Sequence, residues 1–210
     1  MNKKIILPVL FFGSLWGIAE AALGYLLHLI PFGVSGFIMF PIGFYFMYCA
    51  YKRTHDIKSI FFTGLVASAV KLIDLALPFM PVIKILTPCA SIIFESFAVA
   101  LSYKLFKSMQ NRICICGIVS SSLGWRVMFL LLQYVLTLFG IQSKYISGGT
   151  ISMVSFVLWQ GLINVVILYI FSYFANRKSL NILGKKKINT QISIATFITA
   201  MGLSIAFSLI

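Results

Sequence analysis

Glu20, Asp74 and Glu95, three of the four acidic residues of the chain, stand inside long apolar stretches, and two bases, Lys71 and Arg126, stand there with them. An ionisable side chain facing hydrocarbon costs about 3 kcal/mol or more, so such groups face one another, a water-filled cavity or a solute. A carboxylate can hold the donor groups of a small polar molecule or exchange protons; a guanidinium can hold an acceptor or a carboxylate. Trp16, one turn before Glu20, and Trp125, beside Arg126, can stack on a ring or a cation, although aromatic residues in such stretches more often simply pack. Three acids against two bases leave one net negative charge with His28 neutral, which a small cation or a proton would balance.

Helical spacing separates stray charges from polar faces, because residues three and four apart lie on one side of a helix. Gly13, Gly17, Glu20, Gly24 and His28 form one such stripe, and Gly64, Ala67, Lys71, Asp74 and Pro78 another. Ser91, Glu95, Ala98 and Ser102 form a third, Ser122, Arg126, Phe129, Gln133 and Thr137 a fourth, and Gln160 with Asn164 a fifth. Small residues beside each charge let neighbouring backbones approach and close a polar interior. The stripes predict a binding site in the outer half of a bundle, lined by Glu20, Lys71, Asp74, Glu95, Arg126 and Asn164. The plainer alternative is that the charges fix helix register, with Lys71 pairing Asp74 one turn away and Arg126 bridging Glu20 or Glu95.

The elements that must position these residues follow from composition. Hydrophobic residues make up 60% of the 210 and charged ones only 10%, far below the roughly 25% charge of soluble domains. A bilayer core needs about 20 apolar residues per helix. Seven runs qualify: Ile5–Ile30, Val34–Tyr51, Ser59–Leu77, Val82–Tyr103, Ile113–Phe139, Ile151–Phe174 and Ile192–Ile210. The expected fold is an all-α, single-domain polytopic membrane helix bundle of six to seven transmembrane helices, six if the Thr- and Ser-containing last run lies on the membrane surface. The first run exceeds the 7–15 residues of a signal-peptide apolar region and is expected to be retained. The second and seventh runs carry no charge within the span and are expected to form the outer wall.

Net charge is +13, but the bases sit in short clusters between apolar runs, which marks topology and not a nucleic-acid face. Lys3, Lys4, Lys52, Arg53, Lys58, Lys104, Lys107, Arg112, Arg177, Lys178, Lys185, Lys186 and Lys187 fall on one side, and Lys84 and Lys144 on the other. The bias predicts a multi-pass protein of the cell (inner) membrane with a cytoplasmic N-terminus and an outer C-terminus. Cys49, Cys114 and Cys116 then lie at cytosolic helix ends and form no C-x-x-C pair, so neither disulfides nor a metal site is expected. There is no G-x-x-x-x-G-K-[ST], H-E-x-x-H or G-x-S-x-G motif. The chain is expected to have no ATPase of its own, no cofactor and no enzymatic activity.

Short-looped helices of this number, flanked by basic clusters and lacking an ATP motif, resemble the substrate-capture subunit of energy-coupling factor vitamin transporters. The small residues Gly13, Gly17 and Ala21 at four-residue spacing are similar to the alanine pair those subunits offer to their coupling subunit, with glycines here in place of alanines. The resemblance implies capture of a vitamin or precursor from the outer side, and, as partners, a coupling membrane subunit and ATPases. From the residues themselves the expected function is a membrane transport protein that binds a small polar molecule. The alternatives are a stand-alone proton- or ion-coupled carrier, in which Glu20 and Glu95 exchange protons, and an intramembrane enzyme using Asp74, Glu95 and His28, or a structural assembly subunit.

Overall fold

A chain inside hydrocarbon has no water to satisfy its N–H and C=O groups, so each apolar run must close its hydrogen bonds within a helix. In a computed structural model, which describes residues 3–28, 35–76, 81–141, 143–177 and 188–209, a long helix occupies most of the described part of each of the seven runs. They are α1 (Lys3–His28), α2 (Ser35–Thr54), α3 (Lys58–Leu72, prolonged by a 3-10 turn over Ile73–Ala76), α4 (Val82–Leu105) and α5 (Ile115–Leu138). In α6 a π-helical turn, Ser155–Trp159, joins Gly149–Val154 to Gln160–Arg177, and α7 is Thr190–Ser208. No strand occurs among the described residues. Six of these helices are long and apolar enough to cross a membrane; α2 is more polar, with three tyrosines and the basic pair Lys52 and Arg53. The chain is a multi-pass membrane protein. The connecting stretches 29–34 and 77–80 and the basic stretch 178–187 lie outside the described residues.

Contacts between helices fix their directions. Gly13 and Gly17 of α1 meet Val66 and Val70 of α3 in the same order, so α1 and α3 are parallel. Gly64 meets Ser96 while Ser68 meets Cys89, so α3 and α4 are antiparallel. Asn164 lies against Phe37, and Phe171 against Phe44 and Tyr48, which makes α2 and α6 parallel. This up-and-down order brings the described basic residues of the α2–α3 and α4–α5 connections to the same end as Lys3 and Lys4.

The expectation for α2 is corrected. It packs against α1, α3, α4 and α6 and is the core of the bundle, with Phe40, Phe44, Met47 and Ala50 fully buried. Trp16 of α1 is also fully buried and packs against Gly43 of α2, where any side chain would collide with the indole. A helix without charge can be interior when it fills the space with aromatic volume. By contrast α7 is peripheral, with Ile192, Ile194 and Ile198 exposed. It runs the length of α1: Ser193 Oγ donates to the Leu7 carbonyl (3.2 Å) near one end, and Ser204 reaches Asp74 near the other. It is therefore a full member of the bundle, not a surface helix.

Glycine seams set the tight half. A Cβ on Gly13 would lie 2.6 Å from Val66 Cβ and 2.8 Å from the Thr63 carbonyl oxygen, and one on Gly17 2.8 Å from Val70 Cβ. Around Gly202, on α7, nothing lies within 4 Å. Gly13→Ala should therefore force α1 and α3 apart and cost about 1–3 kcal/mol, whereas Gly202→Ala should cost nothing. Unfolding of the two variants in mixed detergent micelles would separate them, and equal stability would show that the α1–α3 seam is not tight.

Candidate binding site

The six residues anticipated as a site fall into one row that crosses the bundle from α7 to α6. At one end α3 tightens from α-helix into its 3-10 turn, and this places Asp74 inward at 1% exposure. Its Oδ2 lies 2.7 Å from Lys71 Nζ, and its Oδ1 accepts a 2.7 Å hydrogen bond from Ser204 of α7. Lys71 keeps 22% of its side chain exposed. Asp74 is thus answered on both oxygens by the fold itself, and the pair does the work of a register device.

Glu95 differs. It is 4% exposed on the inner face of α4 and makes neither a hydrogen bond nor an ion pair among the described residues. It lies within electrostatic range of both Glu20 and Arg126, and Glu20 in turn within range of Lys71. Glu20 is partly exposed and likewise has no direct partner among the described residues. These pairings link Asp74 to Lys71, Lys71 to Glu20, Glu20 to Glu95, Glu95 to Arg126 and Arg126 to Asn164.

Arg126 is fully buried at the middle of α5. Its guanidinium carbon sits 4.4 Å from the ring centre of Trp125 and 5.2 Å from that of Phe156, so the cation lies against two aromatic faces. Phe129, Tyr145 and Phe156 close the surroundings, with Tyr145 and Phe156 rings 4.4 Å apart and Phe129 and Tyr145 6.0 Å apart. Arg126 Nη2 donates to the Gln160 carbonyl (3.3 Å). The Asn164 amide has one orientation that satisfies both its neighbours: its nitrogen donates to the Phe37 carbonyl (2.8 Å) and its oxygen accepts from Arg126 Nη2 (3.1 Å). Gly161 makes the approach possible, since a Cβ there would meet Leu123 at 2.6 Å and the Arg126 Cδ and Nε at 3.8 Å.

That leaves Arg126 Nε and Nη1 buried without a partner among the described residues. Ser122 Oγ, Trp125 Nε1 and Gln133 Nε2 on the same inner face of α5 are in the same state. A buried donor left unanswered costs about 1–3 kcal/mol, and more when it is charged. Most of these atoms can only donate, so the group that would answer them is an acceptor.

Sequence spacing found the charges but not their surroundings. Tyr145 and Phe156 were missed: Tyr145 sits on a one-turn helix, Lys144–Ser147, between α5 and α6, and Phe156 on the π-helical turn, whose changed period breaks the spacing of an ordinary helix. Burial raises the Tyr145 phenol above its ordinary value. Ser204 and the Phe37 and Gln160 carbonyls carried no signal, being a common helix residue and two backbone groups. Gly13, Gly17 and Ala21, expected to meet a partner helix, are buried within the chain, the two glycines against α3. The side chains of Gly24 through His28 lie outside the described residues. Trp159 is 66% exposed and plays no part in the row.

No protein-family model matches the chain, and no curated protein or solved structure matches it either. The site is therefore tested on its own geometry. Asn164→Leu keeps the volume but removes the acceptor for Arg126 and the donor for the Phe37 carbonyl. It should destabilise the protein by about 1–2 kcal/mol, the upper range for a hydrogen bond between membrane helices. Unchanged unfolding in detergent would mean that Asn164 does not hold Arg126.

Proposed function

We propose that this membrane protein captures a small polar molecule in the interior of its bundle, as part of transport across the membrane. One observation carries the proposal: Glu95 and Arg126, opposite charges enclosed on neighbouring helices, are not joined to each other, and Arg126 keeps two unanswered donors. A bundle using charge only for register joins its charges directly, as Lys71 and Asp74 are joined here. The glycine stripe of α1 is spent inside the chain, so it lends no support to an association with a coupling subunit and ATPases. The proximity of Glu20 to Glu95 favours a second mode, in which the protein carries its solute alone with protons exchanged at these acids. Uptake by purified protein in vesicles that follows a proton gradient would select the second mode.

The orientation belongs to the same proposal: the basic end faces the cytosol, with the N-terminus, and the Tyr145 segment faces outward. With the native cysteines replaced, Gly148→Cys should react with a membrane-impermeant maleimide in intact cells, and His55→Cys only after permeabilisation. The reverse pattern would invert the topology and put the candidate site on the cytoplasmic half.

Native mass spectrometry of gently purified protein should show a bound small molecule. Arg126→Ala should lower its affinity about tenfold or more, the scale of one lost charged hydrogen bond, and Glu20→Gln and Glu95→Gln should each change it, with the folded protein still in the membrane. Ser204→Ala cuts the tie between α7 and Asp74 and should leave binding unchanged. Wild-type binding by all three charge variants would sink the proposal.

A further inference from the structure

The geometry points to a carboxylate-bearing molecule with a flat apolar or aromatic body as the solute, its carboxylate held by Arg126 and its body covered by Tyr145. The inference rests on the capture function proposed above and narrows it to a chemical class.

The donor set decides the charge of the ligand. Arg126 Nε and Nη1 are buried and unpaired, while Nη2 is already engaged by the Gln160 carbonyl and by Asn164. Asn164 and Gln160 therefore pin one corner of the guanidinium and leave its remaining donors for something else. Both parallel N–H pairs of a guanidinium include Nη2, so what remains on Arg126 is two separate donors of a full positive charge, which an anionic acceptor such as a carboxylate answers better than a neutral carbonyl. Trp125 Nε1 on the neighbouring position and Gln133 Nε2, two turns farther along α5, are further buried donors without partners. A cationic solute would instead meet a guanidinium and would have only Glu95 to turn to.

The walls decide the body. Trp125 and Phe156 lie on the guanidinium, and Phe40, Phe129 and Tyr145 pack against those two rings, each ring within 4.4–6.2 Å of a neighbouring ring. Such a wall rewards a planar apolar group and gives a hydrated sugar or a polyamine nothing to bond.

The entry follows from the burial of Arg126. Because the guanidinium has no exposed surface, one covering element has to move for a ligand to reach it. Tyr145 is the part of the cover not carried by a long helix: it lies on the one-turn segment Lys144–Ser147, is itself partly exposed, and reaches in to Phe129 and Phe156. Displacing that segment uncovers Phe156 and the cation beside it without disturbing the backbone of α5 or α6.

The test is a thermal-shift series on the purified full-length protein. Benzoate, indole-3-acetate and cyclohexanecarboxylate are compared with benzamide, indole-3-acetamide and cyclohexanecarboxamide, and with benzylamine. At about ten times its Kd, a carboxylate should raise the melting midpoint by about 3 °C, while the amides and the amine should not. Arg126→Gln should abolish the shift. Tyr145→Ala should speed ligand association in stopped-flow tryptophan fluorescence and, by removing part of the aromatic cover, reduce the shift without abolishing it.

The comparison of carboxylate with amide is made on the wild type and stands even where Arg126→Gln fails to fold. Equal or larger shifts with the amides or benzylamine would overturn the carboxylate assignment and leave the capture function standing. No shift with any carboxylate would also overturn it, and if no molecule co-purifies in native mass spectrometry the capture function falls as well. Slower association by Tyr145→Ala would remove Tyr145 as the cover.

Discussion

Arg126 can be held inside the bundle only because three other helices or turns bring something to it. Gly161 lets α6 come close enough for its backbone to serve as an acceptor, and Asn164, one turn on, adds a side-chain oxygen. The nitrogen of the same amide is tied to the start of α2 through the Phe37 carbonyl, so α2, α5 and α6 are linked through one side chain. The π-helical turn presents Phe156 to the cation. Hydrocarbon offers no water to complete the set, so whatever the fold does not supply must come from a bound molecule or be borne as a cost.

The other charges show what a complete answer looks like. Asp74, equally buried, has Lys71 on one oxygen and Ser204 on the other, and in being satisfied it attaches α7 to α3. Glu95 sits between the two arrangements and belongs to neither. Its position gives the row a physical meaning: a charge placed at Arg126 is felt at Glu95, and through Glu95 at Glu20 and the α1–α3 seam. Under the proposed capture, a charged solute in the α5–α6 half would act electrostatically on the opposite half without moving a backbone.

The number, order and direction of the helices were legible from the sequence because membrane insertion writes them in simple terms: apolar length for each span, and basic residues at alternate ends. The row of charges was legible for a related reason, since a charge in hydrocarbon can face only the interior. The same logic misplaced α2. Charge marks an inward face, but its absence does not mark an outward one, and Phe40, Phe44 and Met47 fill the centre of the bundle with volume instead. Gly13 and Gly17 were ambiguous because a small-residue stripe fits a helix of the same chain as well as one of another, and only the positions of Val66 and Val70 decide between them. Tyr145 was not legible, since its contact with Phe156 depends on how a connection folds back and not on any periodicity.

The bundle is uneven in how it can move. Between α1, α3 and α4, glycines put backbone and Cβ atoms in direct contact, and such seams cannot open by a side-chain rotation. The spans of α1 and α3 are each 44% buried, against 22% for α6, so α6, which carries Phe156, has less to lose on rearranging than the glycine-packed pair. Around Arg126 the contacts are ring against ring, which side-chain rotation and a shift of one short connecting turn can rearrange. A binding site that must shut out water yet admit a solute needs one wall that yields and one that does not. For the capture proposed above, the glycine seams would be the fixed wall and the Tyr145 turn leaning on Phe156 the one that yields.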